Sequence, residues 1–400
     1  MAYIVRQLTI VFASASLLIS CAPSHKNITV VVSLDAFRWD YPDIYDTPAL
    51  DSIASVGVKA TMLPSYPAST FPNHYTMATG LVPDHHGIVN SQFWDKERGV
   101  MYSMGDRSTR DSVYYYGGEP IWVTAEKQGV KTGNVYWVGS DIAVEGITPT
   151  YFRYWYDEPR LDYSARVEDV LRLLRLPERE RPRLVMCYFD DPDWTSHEFG
   201  PRSIETGAMV HYLDSLMGRL CKGIKALPYG DKINVIITAD HGMTDISPDR
   251  FICIDDIVKP EWVEVVASPT PTSIFCKPGC VDSLIQAFSG VDHVQAWKKE
   301  DVPSELCYGT SPHLGEVIVA PDLGWRLSRD AGKLKGGHGY SPMEPDMQVA
   351  FRAFGPDFKN GFESPSKFVN VDIYPLIAHL LGIKPMPTDG DISRAKTLLK

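Results

Sequence analysis

Runs of apolar residues that read as buried strands stop abruptly at aspartate or histidine, and the pattern recurs along the chain. Ile28-Thr29-Val30-Val31-Val32-Ser33-Leu34 ends at Asp35. The run from Leu184 to Phe189 leads to Asp193 and His197, and the run from Ile233 to Ala239 ends at Asp240-His241. Near-continuous apolar runs of this length suit strands covered on both faces, which makes them members of a largely parallel sheet between helical layers. Strand-like runs at 28–34, 131–137, 183–189, 233–239 and 348–354 alternate with helical patterns at about 161–176, 203–226 and 370–381. In the second helix, Ile204, Ala208, Tyr212, Leu216 and Leu220 are spaced for one buried face. The fold class is therefore α/β, an α/β/α sandwich with a mostly parallel central sheet. In such sheets ligands gather at the carboxyl ends of the strands, where these acids and imidazoles stand. An apolar content of 44% over 400 residues can fill such a core.

Residues 255–335 have another texture, with Pro260, Pro269, Pro271, Pro278, Pro303, Pro312 and Pro321 interrupting short β-prone pieces such as Trp262 to Val266 and Gly315 to Ala320. They read as a small inserted subdomain within a core formed by 28–254 and 336–392. At the front, Leu8 to Ile19 is an apolar run too short to span a membrane, preceded by Arg6. It ends in Leu18-Ile19-Ser20-Cys21, which resembles a bacterial lipobox. The expectation is a lipoprotein-type signal peptide at 1–20, lipidation of Cys21 as the sole membrane attachment, a polar tether at 21–27, and a place in the bacterial cell envelope. An ordinary cleaved signal peptide is the plainer alternative. Removing residues 1–20 takes away Arg6 and no acid, moving the formal charge from −11 to −12. Such a balance argues against long nucleic acid as a partner and leaves a small anionic substrate to be met by local cations, metal ions above all. Of the six cysteines after Cys21, Cys187 and Cys221 read as packing residues. Cys253, Cys276, Cys280 and Cys307 could form one or two disulfides in an oxidising compartment.

Asp193 and His197 stand four positions apart, so on a helical turn both side chains project from one face toward one metal. The plainer reading is a capped helix start with a surface histidine. Asp190 and Asp191, nearer the strand, read as capping or supporting groups. A buried strand that ends in adjacent acid and imidazole, with Gly242 free to turn beside a ligand, is hard to explain as packing. Asp35 ends its strand in the same manner. His338 lies in Gly336-Gly337-His338-Gly339, where the backbone can close tightly around a ligand. Thr70 precedes Phe71-Pro72-Asn73-His74-Tyr75, a helix with Pro72 in its first turn. A hydroxyl there feels the positive end of the helix dipole, and a bound metal would lower its pKa further, giving a nucleophile. Without the other clusters, Thr70 would be no more than a helix cap.

These segments, together with His86-Gly87-Ile88, Gly118-Glu119-Pro120-Ile121-Trp122, Gly139-Ser140-Asp141, Gly200-Pro201 and Gly337-His338-Gly339-Tyr340, resemble the nucleotide pyrophosphatase/phosphodiesterase family of the alkaline phosphatase superfamily. The likeness runs in order from about residue 28 to 390. It implies an alkaline-phosphatase-like fold and two zinc ions per chain. One would be held by Asp193, His197 and His338, and the other by Asp35, Thr70, Asp240 and His241. It also implies attack by Thr70 on phosphorus and a phosphothreonine that water then hydrolyses. One position departs from the pattern. About twenty-one residues after the nucleophile the family places an asparagine that donates to a phosphoryl oxygen, and here Ser91 stands there with Asn90 beside it. Removing such a donor typically costs about 2.7–4 kcal/mol of transition-state stabilisation.

The resemblance also bears on the substrate. Val138-Gly139-Ser140-Asp141 lacks the Lys-x-Arg pair with which threonine-using monoesterases of the superfamily meet the extra phosphate charge. A small diester such as a nucleotide fits better, its second substituent lodged among Phe71, Trp122, Tyr136 and the Tyr154-Trp155-Tyr156 run, with Asn90 and Ser91 facing the phosphate. Core packing is the plainer reading of those aromatics. A monoester, a lysophospholipid or glycerophosphodiester, and a binding protein without turnover remain as alternatives. A sulfatase would need an arginine after the nucleophile, which Thr70-Phe71-Pro72-Asn73-His74 lacks.

Overall fold

The computed structural model describes residues 27–155, 158–267 and 270–400, so the leader, Cys21, residues 21–26 of the tether and Tyr156 lie outside the described residues. Six strands carry the central sheet: β1 (Ile28–Leu34), β2 (Val58–Leu63), β3 (Thr132–Val135), β4 (Leu184–Phe189), β5 (Ile233–Thr238) and β6 (Val349–Phe354). Their order across the sheet is β2-β6-β5-β1-β4-β3, with short strands at both margins. β1 pairs in parallel with β4 and β5, and β3 pairs in parallel with β4. Every residue of β1, β4 and β5 is buried, as expected for strands covered on both faces. Helices Pro48–Val56, Tyr163–Leu174 and Ile204–Lys225 pack together as one layer, and Thr70–Thr79, Ile121–Lys127 and Ile373–Leu381 as another.

Five of these strands fall on the apolar runs. β2 does not, because its buried residues alternate with half-exposed ones and Lys59 and Thr61 break the run. β6 runs antiparallel to both neighbours. It returns from the His338 loop at the carboxyl end of the sheet, so it can only run back against the strands that lead there. The expected face of helix Ile204–Lys225 is corrected. Ile204 is 89% exposed and Tyr212 42%, while Val210, Leu213, Leu216, Met217, Leu220 and Ile224 are buried. A strict four-residue spacing drifts around a helix of 3.6 residues per turn, so its first and last members do not share a face.

Between β5 and β6 the chain builds a four-stranded antiparallel sheet from Val263–Ala267, Thr272–Cys276, Val317–Pro321 and Val294–Lys298. Ile274, Leu284, Phe288, Val317 and Val319 give it a separate apolar core. All six described cysteines are free, so the expected disulfides do not form. The Sγ atoms of Cys253, Cys276, Cys280 and Cys307 instead face backbone carbonyls.

Candidate active site

The carboxyl ends of β1, β4 and β5 meet at one place because the three strands are adjacent and parallel. Asp35 follows β1 directly, and Asp240 and His241 lie just beyond β5. After β4 the chain turns into a helix, Asp193–Phe199, which presents Asp193 and His197 from one face. Thr70 is the first residue of helix Thr70–Thr79, with Ser69 at its N-cap. His338 arrives on a hairpin in which Gly336–Gly337 pairs antiparallel with Thr244–Asp245.

All seven expected ligands converge. Asp193, His197 and His338 form one group able to hold a metal ion, and Asp35, Asp193 and His241 a second. Asp240 Oδ2 lies 3.2 Å from His241 Nε2, and Thr70 Oγ1 lies 3.1 Å from that same nitrogen. Asp193 therefore stands between the two groups and touches both. Each imidazole is oriented through its far nitrogen: Nδ1–H of His197 donates to Gly336 O at 2.8 Å, that of His241 to Gly242 O at 2.8 Å, and that of His338 to Ala68 O at 3.1 Å. With Nδ1 protonated, Nε2 offers a lone pair to the site in all three rings.

Acceptors consequently face acceptors. Asp35 Oδ1 and Asp193 Oδ1 are buried without a hydrogen-bond partner, at 3.4 Å from the Nε2 of His241 and His197 respectively. Asp240 Oδ2 likewise lacks a hydrogen-bond partner among the described residues: the His241 Nε2 beside it offers a lone pair, and His74 Nδ1, at 3.3 Å, directs its proton to Thr70 O at 2.9 Å. Buried carboxylate oxygens are almost always paired, so three orphans pointing into one space with three imidazole lone pairs fit bound cations. Burial, and then the charges of Asp240 and Asp193, push Asp35 well above the usual carboxylate range, and burial raises Asp193. For Asp240 burial works upward, but His241 and His74 outweigh it and hold the carboxyl down. Burial and the neighbouring His241 and His197 drive His338 well below an ordinary imidazole.

Several supporting residues escape a one-dimensional reading. Tyr188, inside β4, donates its hydroxyl to Asp35 Oδ2. The Arg38 guanidinium bonds Met243 O, and lies 2.8 Å from Asp40 and from Asp346, joining the end of β1 to the loop that carries His241. His74 spans Thr70 O and Ser33 Oγ; its place in the threonine motif is the one feature of the three visible in sequence. Asp190 is held by Arg160 and Arg166, and Asp191 caps the next helix through the N–H and hydroxyl of Thr195. At Gly242 a methyl group would drive into Asp346 O. We expect Gly242→Ala to destabilise the fold by about 1–3 kcal/mol, read from urea melts.

A cavity of about 530 Å³ opens over the site and is lined by Thr70, Asn90, Ser91, Asp193, His197 and His338. Ser91 Oγ is 3.1 Å from Ser69 Oγ. The Asn90 amide donates to Thr270 O at 3.3 Å while its oxygen accepts from Ser91 N at 2.8 Å, so Asn90 is committed to the loop. The expected aromatic slot is corrected. Phe71, Trp122 and Tyr136 are at most 1% exposed and do not line the cavity. Phe71 packs edge-on against Trp155 at 5.2 Å, and Tyr136 accepts from Leu161 N beneath the guanidinium of Arg166. Trp155, half-buried, stacks on Tyr188 at 5.2 Å, also outside the cavity wall. The apolar wall comes instead from Met104, Trp194, Ile246 and Leu334, of which Trp194 is 70% exposed.

The likeness to known proteins follows this geometry. The family model described as type I phosphodiesterase / nucleotide pyrophosphatase matches residues 29–341. Human ectonucleotide pyrophosphatase/phosphodiesterase family member 5 is 30% identical over 390 residues, covering 96% of this chain and 80% of that protein. The venom phosphodiesterase CdcPDE of Crotalus durissus collilineatus is 33% identical over 387 residues, covering 93% of this chain and 46% of the venom protein. The chain thus spans about half the length of the venom relatives. Among solved structures, murine ectonucleotide pyrophosphatase/phosphodiesterase 5, in an inactive threonine-to-alanine form in complex with AMP, superposes with a TM-score of 0.88 at 29% identity, covering 94% of this chain and all of that one. The family model spans most of the chain, the relatives cover nearly all of it, and the solved structures share its alkaline-phosphatase-like sheet, so the chain belongs to the type I phosphodiesterase / nucleotide pyrophosphatase family.

Proposed function

We propose that this protein is a zinc-dependent phosphodiesterase that hydrolyses small phosphodiesters, nucleotides foremost, through a phosphothreonine on Thr70. The observation that carries the reading is the set of three unpartnered buried carboxylate oxygens converging on three imidazole lone pairs beside the Thr70 hydroxyl. Asp193, His197 and His338 would hold one zinc, and Asp35, Asp240, His241 and the Thr70 oxygen the other. Bound there, the metals supply positive charge that acidifies the hydroxyl and stabilises developing negative charge. The chain's own residues do the rest. Helix Thr70–Thr79 fixes Oγ1 at its amino end, where the helix dipole favours an alkoxide and a phosphoryl group alike. Oγ1 forms a bond to phosphorus as the bond to the leaving oxygen breaks, and water later cleaves the phosphothreonine to regenerate Thr70. The N–H of Ser91 is taken by Asn90, so the Ser91 hydroxyl is the donor nearest the incoming phosphate on this wall.

A diester is favoured over a monoester by the charge of the cavity. Arg326 is its one arginine or lysine among the described lining residues, and that guanidinium is already bonded to Ala331 O. A dianion would go undercompensated, whereas the half-apolar wall suits a second substituent. The relative whose threonine-to-alanine form holds AMP, itself a monoester, supports a nucleotide as the substituent that the site accepts. The test is a panel of p-nitrophenyl thymidine monophosphate, bis-p-nitrophenyl phosphate, p-nitrophenyl phosphorylcholine and p-nitrophenyl phosphate on zinc-loaded protein. We expect kcat/KM to be highest on a diester; a monoester that outruns all three diesters would overturn the reading.

Ser91→Asn supplies the longer amide donor usual in the family. It is expected to raise kcat/KM by about 10²-fold with little change in KM, since such a donor acts mainly in the transition state. We also propose export and lipidation at Cys21, checked by loss of radiolabelled fatty acid from Cys21→Ala.

A further inference from the structure

The far end of the sheet carries a second cavity, of about 520 Å³, and its wall is basic. Lys131, Arg183 and Lys232 each stand one residue before β3, β4 and β5. Those strands, with β1, are neighbours, so the three cations form a row along the amino-terminal edge of the sheet, joined by Arg179 and Arg181 from the turn before β4. The backbone fixes the row: Arg183 N donates to Lys131 O at 2.9 Å, and Thr29 N to Arg183 O at 2.8 Å. Lys131 Nζ rests on Arg179 O at 2.8 Å, and the Arg181 guanidinium lies 3.7 Å from the centre of the Tyr229 ring. Several arginines elsewhere are neutralised, as Arg153 and Arg172 are by Asp169 and Arg166 is by Asp190. Among the described residues none of Lys131, Arg179, Arg181 and Lys232 forms an ion pair. Glu178 is the one acidic residue in the described lining. In a chain of formal charge −11 this is a local reversal of sign.

The same face receives the incoming chain. Ile28 lines the cavity, and the Arg183 guanidinium donates to Asn27 O at 3.2 Å. Cys21 lies six residues upstream of that point. We propose that this edge docks on an anionic membrane surface, its cations taking the phosphate headgroups of acidic lipids. Arg179 and Lys232 are exposed, and the cations come from separate segments strung along an edge, which suits a charged plane better than a single small anion. Each cation near such a surface adds attraction that fades within a Debye length. Docked this way, the catalytic end of the sheet points away from the lipid by the length of a strand, about 20 Å. The proposal is independent of the phosphodiesterase reading.

The test uses the full chain bearing Cys21→Ala, so that no acyl chain attaches, in co-sedimentation with vesicles of phosphatidylcholine alone or mixed with phosphatidylglycerol. The readout is the ratio of anionic to neutral binding, which cancels any contribution from apolar residues 8–19. We expect a clear preference for anionic vesicles that declines with added salt. Arg179→Glu combined with Lys232→Glu should weaken it by about tenfold or more, and the paired glutamine substitutions by less in the same direction. Thermal melting and unchanged hydrolysis of a soluble diester establish that the variants are folded. Equal binding to both vesicle types, or no loss on charge reversal, overturns the proposal. So does displacement by millimolar inorganic phosphate at constant ionic strength, which would reassign the cavity to a free anion.

Discussion

Thr70→Ala is expected to lower kcat on every phosphodiester by about 10⁴-fold or more while the protein stays folded. The Thr70 side chain has little structural work to do. The cap position of its helix belongs to Ser69, and the loop before it is held by Asn73, which bonds Ser65 N, Pro67 O and Ser69 O. Among the described residues, Thr70 Oγ1 makes its hydrogen bond with His241 alone. Removing it leaves the backbone bonds of Thr70 to His74 intact, so thermal melts of the two proteins should nearly coincide. Thr70→Ser keeps the hydroxyl and should retain far more activity than the alanine variant. Mass spectrometry of acid-quenched enzyme should find a phosphate on residue 70 in the wild type and none in Thr70→Ala. Undiminished turnover by Thr70→Ala would exclude a covalent route through this residue.

Metal removal is expected to have the second large effect, on stability as well as on activity. Asp35, Asp193 and Asp240 are buried side by side, and stripping away compensating cations leaves like charges with no solvent to screen them. Breaking a buried ion cluster by removing one partner costs about 3–5 kcal/mol, which in a chain of this size lowers Tm by several degrees. Chelation should therefore abolish hydrolysis and shift the calorimetric transition down, with both restored by zinc. Elemental analysis should find two zinc ions per chain. Asp240→Asn should lose metal together with about 10³-fold or more in kcat/KM. Asp190→Asn should keep its metal, because Asp190 serves Arg160 and Arg166 and not the site. A chelated protein that melts and turns over like the untreated one would defeat the metal assignment.

The convergence of the candidate ligands was readable in sequence because each ends an apolar strand or sits in a short motif, and the parallel sheet that those strands dictate has a single carboxyl end. What partners the ligands was not readable. Tyr188 looks like any residue of a buried strand, and only the three-dimensional pairing of β4 with β1 brings its hydroxyl to Asp35. Arg38 reads as an awkward charge after a strand until Met243 and Asp346 arrive from more than two hundred residues away. The aromatic slot misled for a related reason. Phe71 neighbours the nucleophile in sequence, but successive helical residues point in different directions, so Thr70 faces the cavity while Phe71 faces Trp155. The exposed Trp194, beside the candidate ligand Asp193, gave no periodic signal at all.

The hairpin that delivers His338 has a consequence for how the chain can vary. Thr244 pairs with Gly337 and Asp245 with Gly336, so the long excursion between them leaves and re-enters through one two-stranded clasp. His241 and His338 stack with ring centres 3.9 Å apart on the near side of that clasp, whatever lies beyond it. Closing a longer loop adds little entropy cost, so the excursion can lengthen at its outer side while the candidate ligands hold their spacing. Four of its residues, Ile246, Thr270, Arg326 and Leu334, line the cavity. Part of the cavity wall and the candidate ligand cluster therefore lie on different stretches of one polypeptide, with Val302, Tyr308, Leu314 and Ile318 tying the excursion into the main core.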